Sequence, residues 1–266
     1  MDFLMAHDIA ALPTPLAVLV AIGIPLVLAL AVGAVMFAVF TPQEFAQNAI
    51  VGAVKFGFVV EIYAVVAALS LVGSWDIYQT ARDTLQKETG ALYMLAHSVE
   101  TYGGPTLSDA RAEMRAAIRE YAGAVVSTDW PRMKEGLASN GSDAAFTRLT
   151  RAFLDAEPVT QAQQAVAQNT PQWLREVAEA RIARLSVVTR TLSLLIWLLV
   201  LTVSVAVLFF QWFIGSGHQA LHYTMGSVIA IIVGSVILVS LKLAFPFVGD
   251  PPLLSPRPFY QLMEIV

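Results

Sequence analysis

The sequence predicts an all-α membrane protein, with four transmembrane helices and a helical soluble insert between the second and the third. Three observations predict it. Of the 266 residues, 57% are hydrophobic and only 14% are charged, against about 25% charge in an ordinary soluble domain. The charge is unevenly spread: 13 of the 16 Lys and Arg, and 14 of the 20 acids, lie between Asp76 and Arg190. Four stretches also reach the roughly 20 apolar residues that a helix needs to cross a bilayer.

The first span is expected over about 16–40, without a charge and with Pro25 inside it. Membrane helices accept such a proline when neighbours satisfy the freed carbonyl. Asp2 and Asp8 precede the span where a cleaved signal peptide would carry Lys or Arg. The second span covers about 50–73 and contains Lys55 and Glu61. The third covers about 187–214 with Trp197 and Trp212, and the fourth about 225–245 with Lys242 near its end. Linkers 41–49 and 215–223 contain no Lys or Arg. Three domains follow: an N-terminal transmembrane hairpin (1–73), the insert (74–186), and a C-terminal transmembrane hairpin with a short tail (187–266).

Orientation is read from the basic residues. Arg82 and Lys87 follow the second span, Arg175, Arg181, Arg184 and Arg190 precede the third, and Lys242 and Arg257 close the fourth. All lie on one side if the insert and both termini are cytoplasmic and both short linkers face outward. Lys242 is expected to snorkel to the cytoplasmic headgroups.

The insert is expected to be helical throughout. Ile77, Ala81, Leu85, Leu92 and Leu95 recur at amphipathic-helix spacing. The run YGGP (102–105) breaks that helix, Ser108 starts the next, and ASNGSD (138–143) forms a loop. Pro171 is expected to open a last helix that runs straight into the third span.

Whole function classes are excluded. A net charge of −4 gives no footprint for nucleic acid, and the absence of Cys removes thiol catalysis and thiolate metal sites. His218 and His222 stand at i, i+4 without a carboxylate to complete a ligand set, and read as two interfacial histidines in a short loop. No Walker loop, dinucleotide glycine pattern, HExxH or Ser-His-Asp context is present. No enzyme activity, metal or cofactor is expected.

Glu61 is the residue that most needs a purpose. It lies roughly 16 Å into its span, near the middle of a 30 Å core, where charge costs at least about 2.5 kcal/mol. Lys55 is grouped with Glu61, Gly57, Ala64 and Ala68 as the candidates for an ion path, although it lies on another face of the helix and cannot form an i, i+4 pair with Glu61. Glu61 either lines a cation or proton path, or is a protonated group hydrogen-bonded to a neighbouring helix while Lys55 snorkels outward. Gly57, Ala64 and Ala68 share its helical face and are small, which suits a narrow passage and a tight helix contact equally. In the fourth span Gly226, Ala230 and Gly234 form a small-residue face, for packing within the subunit or between subunits.

The arrangement resembles the bestrophin-like domain family of bacterial membrane proteins over about residues 50–262. The resemblance is carried by Trp75, Tyr78, Ala81 and Glu88 after the second span, by Tyr121 with Asp129-Trp130-Pro131, and by the ending Pro246-Phe247-Val248-Gly249 followed by Ser255-Pro256-Arg257-Pro258-Phe259. Two positions depart: Ala244 stands where the family usually has Asp, and Phe245 where a basic or polar residue is common. The resemblance implies a homo-oligomer in the bacterial inner membrane. True bestrophins are pentameric anion channels gated from the cytosol, so the resemblance implies an ion channel, and the mid-span depth of Glu61 puts that residue near the expected conduit. The alternative is a non-conducting scaffold or sensor whose insert binds a cytosolic protein. From residues alone, the aromatic motif positions have an interfacial or packing explanation, and Glu88 is expected to pair with an arginine of the insert.

Overall fold

A computed structural model describes residues 3–102, 108–214 and 218–266. The fold is all-α: ten α-helices among the described residues, and no strand. They are α1 (Phe3–Ala11), α2 (Thr14–Val39), α3 (Pro42–Val99), α4 (Ser108–Ala124), α5 (Trp130–Lys134), α6 (Asp143–Leu154), α7 (Gln161–Val188), α8 (Leu194–Phe210), α9 (Gln219–Ala244) and α10 (Arg257–Ile265). Four are long and apolar enough to cross a membrane: Thr14–Val39, the apolar part of α3 from Ala49, Leu194–Phe213 and Gln219–Ala244.

The chain divides into two compact units. The first comprises 1–78, 191–245 and 249–251; the second comprises 79–190, 246–248 and 252–266. The stretch after the fourth span, expected as a short tail, thus groups largely with the residues of the insert.

Local signals explain most boundaries. Thr41 and Glu44 form a reciprocal N-terminal cap on α3, the Thr41 backbone N–H donating to Glu44 Oε2 at 2.8 Å and the Glu44 N–H to Thr41 Oγ1 at 3.4 Å. The linker expected over 41–49 is therefore mostly helix, and the second span begins with its helix already formed. Because α3 has no glycine or proline strong enough to end it before Val99, span and insert helix are one element of 58 residues. The break expected at 102–105 lies mostly outside the described residues.

Pro171 does not open a helix. The capping box of Thr160 and Gln163 starts α7 ten residues earlier, and Pro171 sits inside it. Nor does α7 run into the third span: it ends at Val188, and Ser193 caps α8 afresh by accepting from the Leu195 N–H at 3.3 Å. The third span is accordingly shorter than expected.

In the first unit, Ala29, Met36, Tyr63, Val66, Val200, Val207, Trp212, Ala230 and Val233 form the buried core. Pro25 has no N–H for the Ala21 carbonyl. That carbonyl instead faces Gly234 of α9, where an added Cβ would lie 2.6 Å from it. Glycine lets the two backbones meet here. The Trp212 indole is likewise wedged between α2 and α9, and a Cβ on Gly33 or Gly226 would come within 2.5 Å or 3.0 Å of its ring. His222 is not a loop residue. It lies inside α9, 8% exposed, with its ring 5.0 Å from Trp212 and 5.6 Å from Phe37.

Candidate functional site

Helical spacing places Gly57, Glu61, Ala64 and Ala68 on one face of α3, and all four are exposed on the subunit. The other face carries Tyr63, Val66, Ala67 and Ser70, all buried, with Ser70 Oγ 3.4 Å from Ser240 Oγ. A Cβ added to Gly57 would meet nothing within 4 Å. The Glu61 side chain makes no hydrogen bond or ion pair with any described residue. The face is thus a strip of small residues around one carboxylate, turned away from the subunit's own core. In a spanning segment such a carboxylate must meet water, an ion or another chain, or lose its charge.

Lys55 is placed elsewhere. It lines a cavity of about 230 Å³ with Val51, Gly52, Phe209, Phe210 and Phe213, so the five residues grouped by sequence divide into a carboxylate strip and a cationic pocket. Gly226, Ala230 and Gly234 are buried in the subunit, the first against Trp212 and the last against the α2 backbone. Lys242 does not snorkel freely: its ammonium donates to the carbonyls of Ala10 at 2.9 Å and Leu12 at 3.4 Å, where the positive charge suits the C-terminal end of α1.

The second unit contains a charge cluster whose extent sequence reasoning missed. Arg184 is wholly buried and donates from Nε to Glu88 Oε2 at 2.6 Å and from Nη2 to Glu88 Oε1 at 3.1 Å. The Tyr121 hydroxyl donates to Glu88 Oε1 at 2.6 Å, and Arg184 Nη2 also reaches Asp129 Oδ2 at 3.3 Å. Asp129 in turn accepts from the Ser142 N–H at 3.2 Å and its hydroxyl at 2.6 Å. Arg181 Nε donates to the same hydroxyl at 3.0 Å and ion-pairs with Asp143. Glu88, Asp129, Arg181 and Arg184 balance in charge, as buried ions must. Glu88 does pair with an arginine, in a buried network of six side chains that Asp143 extends to the surface, rather than in a surface bridge.

Burial, and then the neighbouring Glu88 charge, push the Tyr121 phenol well above its usual pKa. Burial opposes the charge on Arg184, but Glu88 outweighs it and holds the guanidinium ionised.

A π-helical turn over Val125–Asp129 aims Asp129 inward. Pro131 has no N–H to return to Ser127, and the Trp130 N–H bonds to the Val125 carbonyl instead, which sets Tyr121, Val125 and Asp129 on one buried face. The signal for the cluster was legible: Glu88 interrupts the run Ala81, Leu85, Leu92, Leu95, and Arg181 and Arg184 interrupt Leu174, Val177, Val188, all at three- and four-residue spacing.

The remaining motif residues divide between the units. Trp75 is 50% exposed and lies 5.5 Å from the Tyr78 ring. Trp130 meets Phe247 edge-on at 5.5 Å, and Pro246 and Phe247 are buried. Gly249 adopts φ +104°, open to glycine, and a Cβ there would stand 3.0 Å from both the Ala10 carbonyl and the Lys242 ammonium. Among the described residues no group of three or more His, Asp or Glu converges as a metal site.

A family model described as Bestrophin-like domain matches residues 23–252. The chain is similar to a crystal structure of a bacterial bestrophin homologue from Klebsiella pneumoniae bearing a tryptophan-to-alanine mutation, with a TM-score of 0.74 and 14% identity, covering 94% of this chain and 96% of that one. A tyrosine-to-alanine variant of that homologue matches at 0.70 and 12% identity over 91% and 96% of the two chains. A membrane protein with a proline-to-alanine mutation matches at 0.69 and 13%, over 92% and 96%. Identities this low make the likeness one of fold. No curated protein matches the chain.

Proposed function

The chain belongs to the Bestrophin-like family, and from that premise we propose that it is an oligomeric ion channel with Glu61 beside the conduit. One observation carries the reading: Glu61 stands on an exposed strip of small residues in a spanning helix, with no partner among the described residues of its own subunit. Several copies of α3 around one axis would give that strip a common lumen. A fixed carboxylate in a narrow, poorly solvated passage favours cations or protons over anions. Gly57, Ala64 and Ala68 leave room beside it. The basic residues favour a cytoplasmic insert and termini in a bacterial inner membrane.

The test is ion flux through purified protein in liposomes, wild type beside Glu61→Gln, with proton, potassium and chloride gradients imposed separately. Flux that is lost or re-tuned by the substitution supports the reading. Silence of both proteins overturns it, and turns attention to a scaffold whose insert binds a partner.

A further inference from the structure

We propose that Lys55 and the aromatic wall beside it bind an anionic phospholipid, its phosphate on the ammonium and an acyl chain against the rings. Gly52 is the hinge of the geometry. An added Cβ there would fall 2.7 Å from the Phe213 carbonyl, so α3 closes onto the end of the third span and Lys55, one turn on, stands beside it. Phe209, Phe210 and Phe213 form a triad with ring centroids 5.2–6.0 Å apart. With Val51 and Gly52 they complete the cavity that Lys55 lines.

Lys55 is exposed on the subunit and makes no ion pair with any described residue. An ammonium in a spanning segment is costly without an anion. It lies about 9 Å from the start of the apolar run at Ala49, a depth that a lysine stem crosses by snorkelling. The cavity joins the beginning of the second span to the end of the third, so a lysine stem reaching outward along it ends toward the headgroups. Charge and apolar wall together favour a lipid of net negative charge over a zwitterionic one. The site is distinct from the strip that holds Glu61, none of whose residues lines it.

The experiment reconstitutes the full chain in nanodiscs of equal phosphatidylglycerol and phosphatidylcholine, then counts retained lipids by native mass spectrometry. One lysine near an anionic headgroup confers a preference of about five-fold. Wild type should retain phosphatidylglycerol over phosphatidylcholine by about that factor more than Lys55→Met, and Lys55→Arg should keep the preference. Both variants should elute as wild type does on size exclusion, so that the comparison is between folded proteins. Equal ratios in wild type and Lys55→Met overturn the proposal and leave the cation to a carboxylate of another copy. Binding of inorganic phosphate by a protein that shows no preference for phosphatidylglycerol also overturns it, by assigning the site to free phosphate.

Discussion

Arg184 grips both carboxylate oxygens of Glu88 across 96 residues of chain, at 2.6 Å and 3.1 Å, with neither side chain exposed. The pair ties α3, which also supplies the second span, to α7. Its two-point geometry needs the planar guanidinium fork, which a lysine cannot reproduce.

Arg184→Met should therefore cost about 3–5 kcal/mol, because it strands Glu88 and Asp129 in an apolar interior. Arg184→Lys should recover only part of that loss. Replacing the ions together, as Glu88→Leu with Arg184→Met, should do less damage than Arg184→Met alone. Thermal unfolding followed by circular dichroism ranks the variants, and an Arg184→Met protein as stable as wild type would refute the network's role.

Alkaline pH should weaken the same region. The Tyr121 pKa is raised above its ordinary value of 10.0, burial being the largest cause and the Glu88 charge the next. The folded state thus holds a proton that the unfolded state releases near pH 10, so the stabilisation is complete below pH 10 and falls as pH rises beyond it. Tyr121→Phe should lower stability at neutral pH by about 1–3 kcal/mol through the lost hydrogen bond to Glu88, and should flatten the alkaline decline. Melting temperatures over a pH series check both signs.

Two glycines of the spanning helices should respond in opposite ways. Gly234→Ala drives a methyl to 2.6 Å from the Ala21 carbonyl, and overpacking of this kind costs about 1–3 kcal/mol. Gly57→Ala meets open space and should leave the subunit's stability unchanged while reducing ion flux through the strip beside Glu61. Melting temperature and liposome flux separate the two. Equal loss of stability in both would place Gly57 in a packed contact.

Lys242→Met should loosen α1 selectively. The ammonium bonds two terminal carbonyls, and charge-assisted bonds contribute about 1.5–3 kcal/mol. Hydrogen exchange should quicken in residues 3–12 and stay unchanged in α6 and α7. Uniform acceleration across the chain would show that Lys242 supports the whole fold instead.

Much of the fold was legible because its driving force is local. Apolar length marks four spans, and three- and four-residue spacing marks the helices of the insert. What misled was punctuation. Pro171 reads as a helix start, yet the Thr160–Gln163 box lies upstream and wins by satisfying two backbone donors at once. The 41–49 linker reads as a loop, yet Thr41 and Glu44 cap a helix through it. Lys242 reads as a surface cation, because nothing near it in sequence reveals the carbonyls of Ala10 and Leu12 more than 200 residues away.

By itself the sequence determined the all-α membrane class, the four spans, the charged insert and the singular position of Glu61, since each follows from composition and period along one helix. Tertiary structure decided which helical faces stay open. It set the Glu61 strip outside the subunit's core, moved Lys55 to an aromatic pocket, and gathered Glu88, Tyr121, Asp129, Ser142, Arg181 and Arg184 into one network. The physical reason is that a single helix specifies its own faces, whereas the partner of a buried charge is chosen by elements distant in the chain.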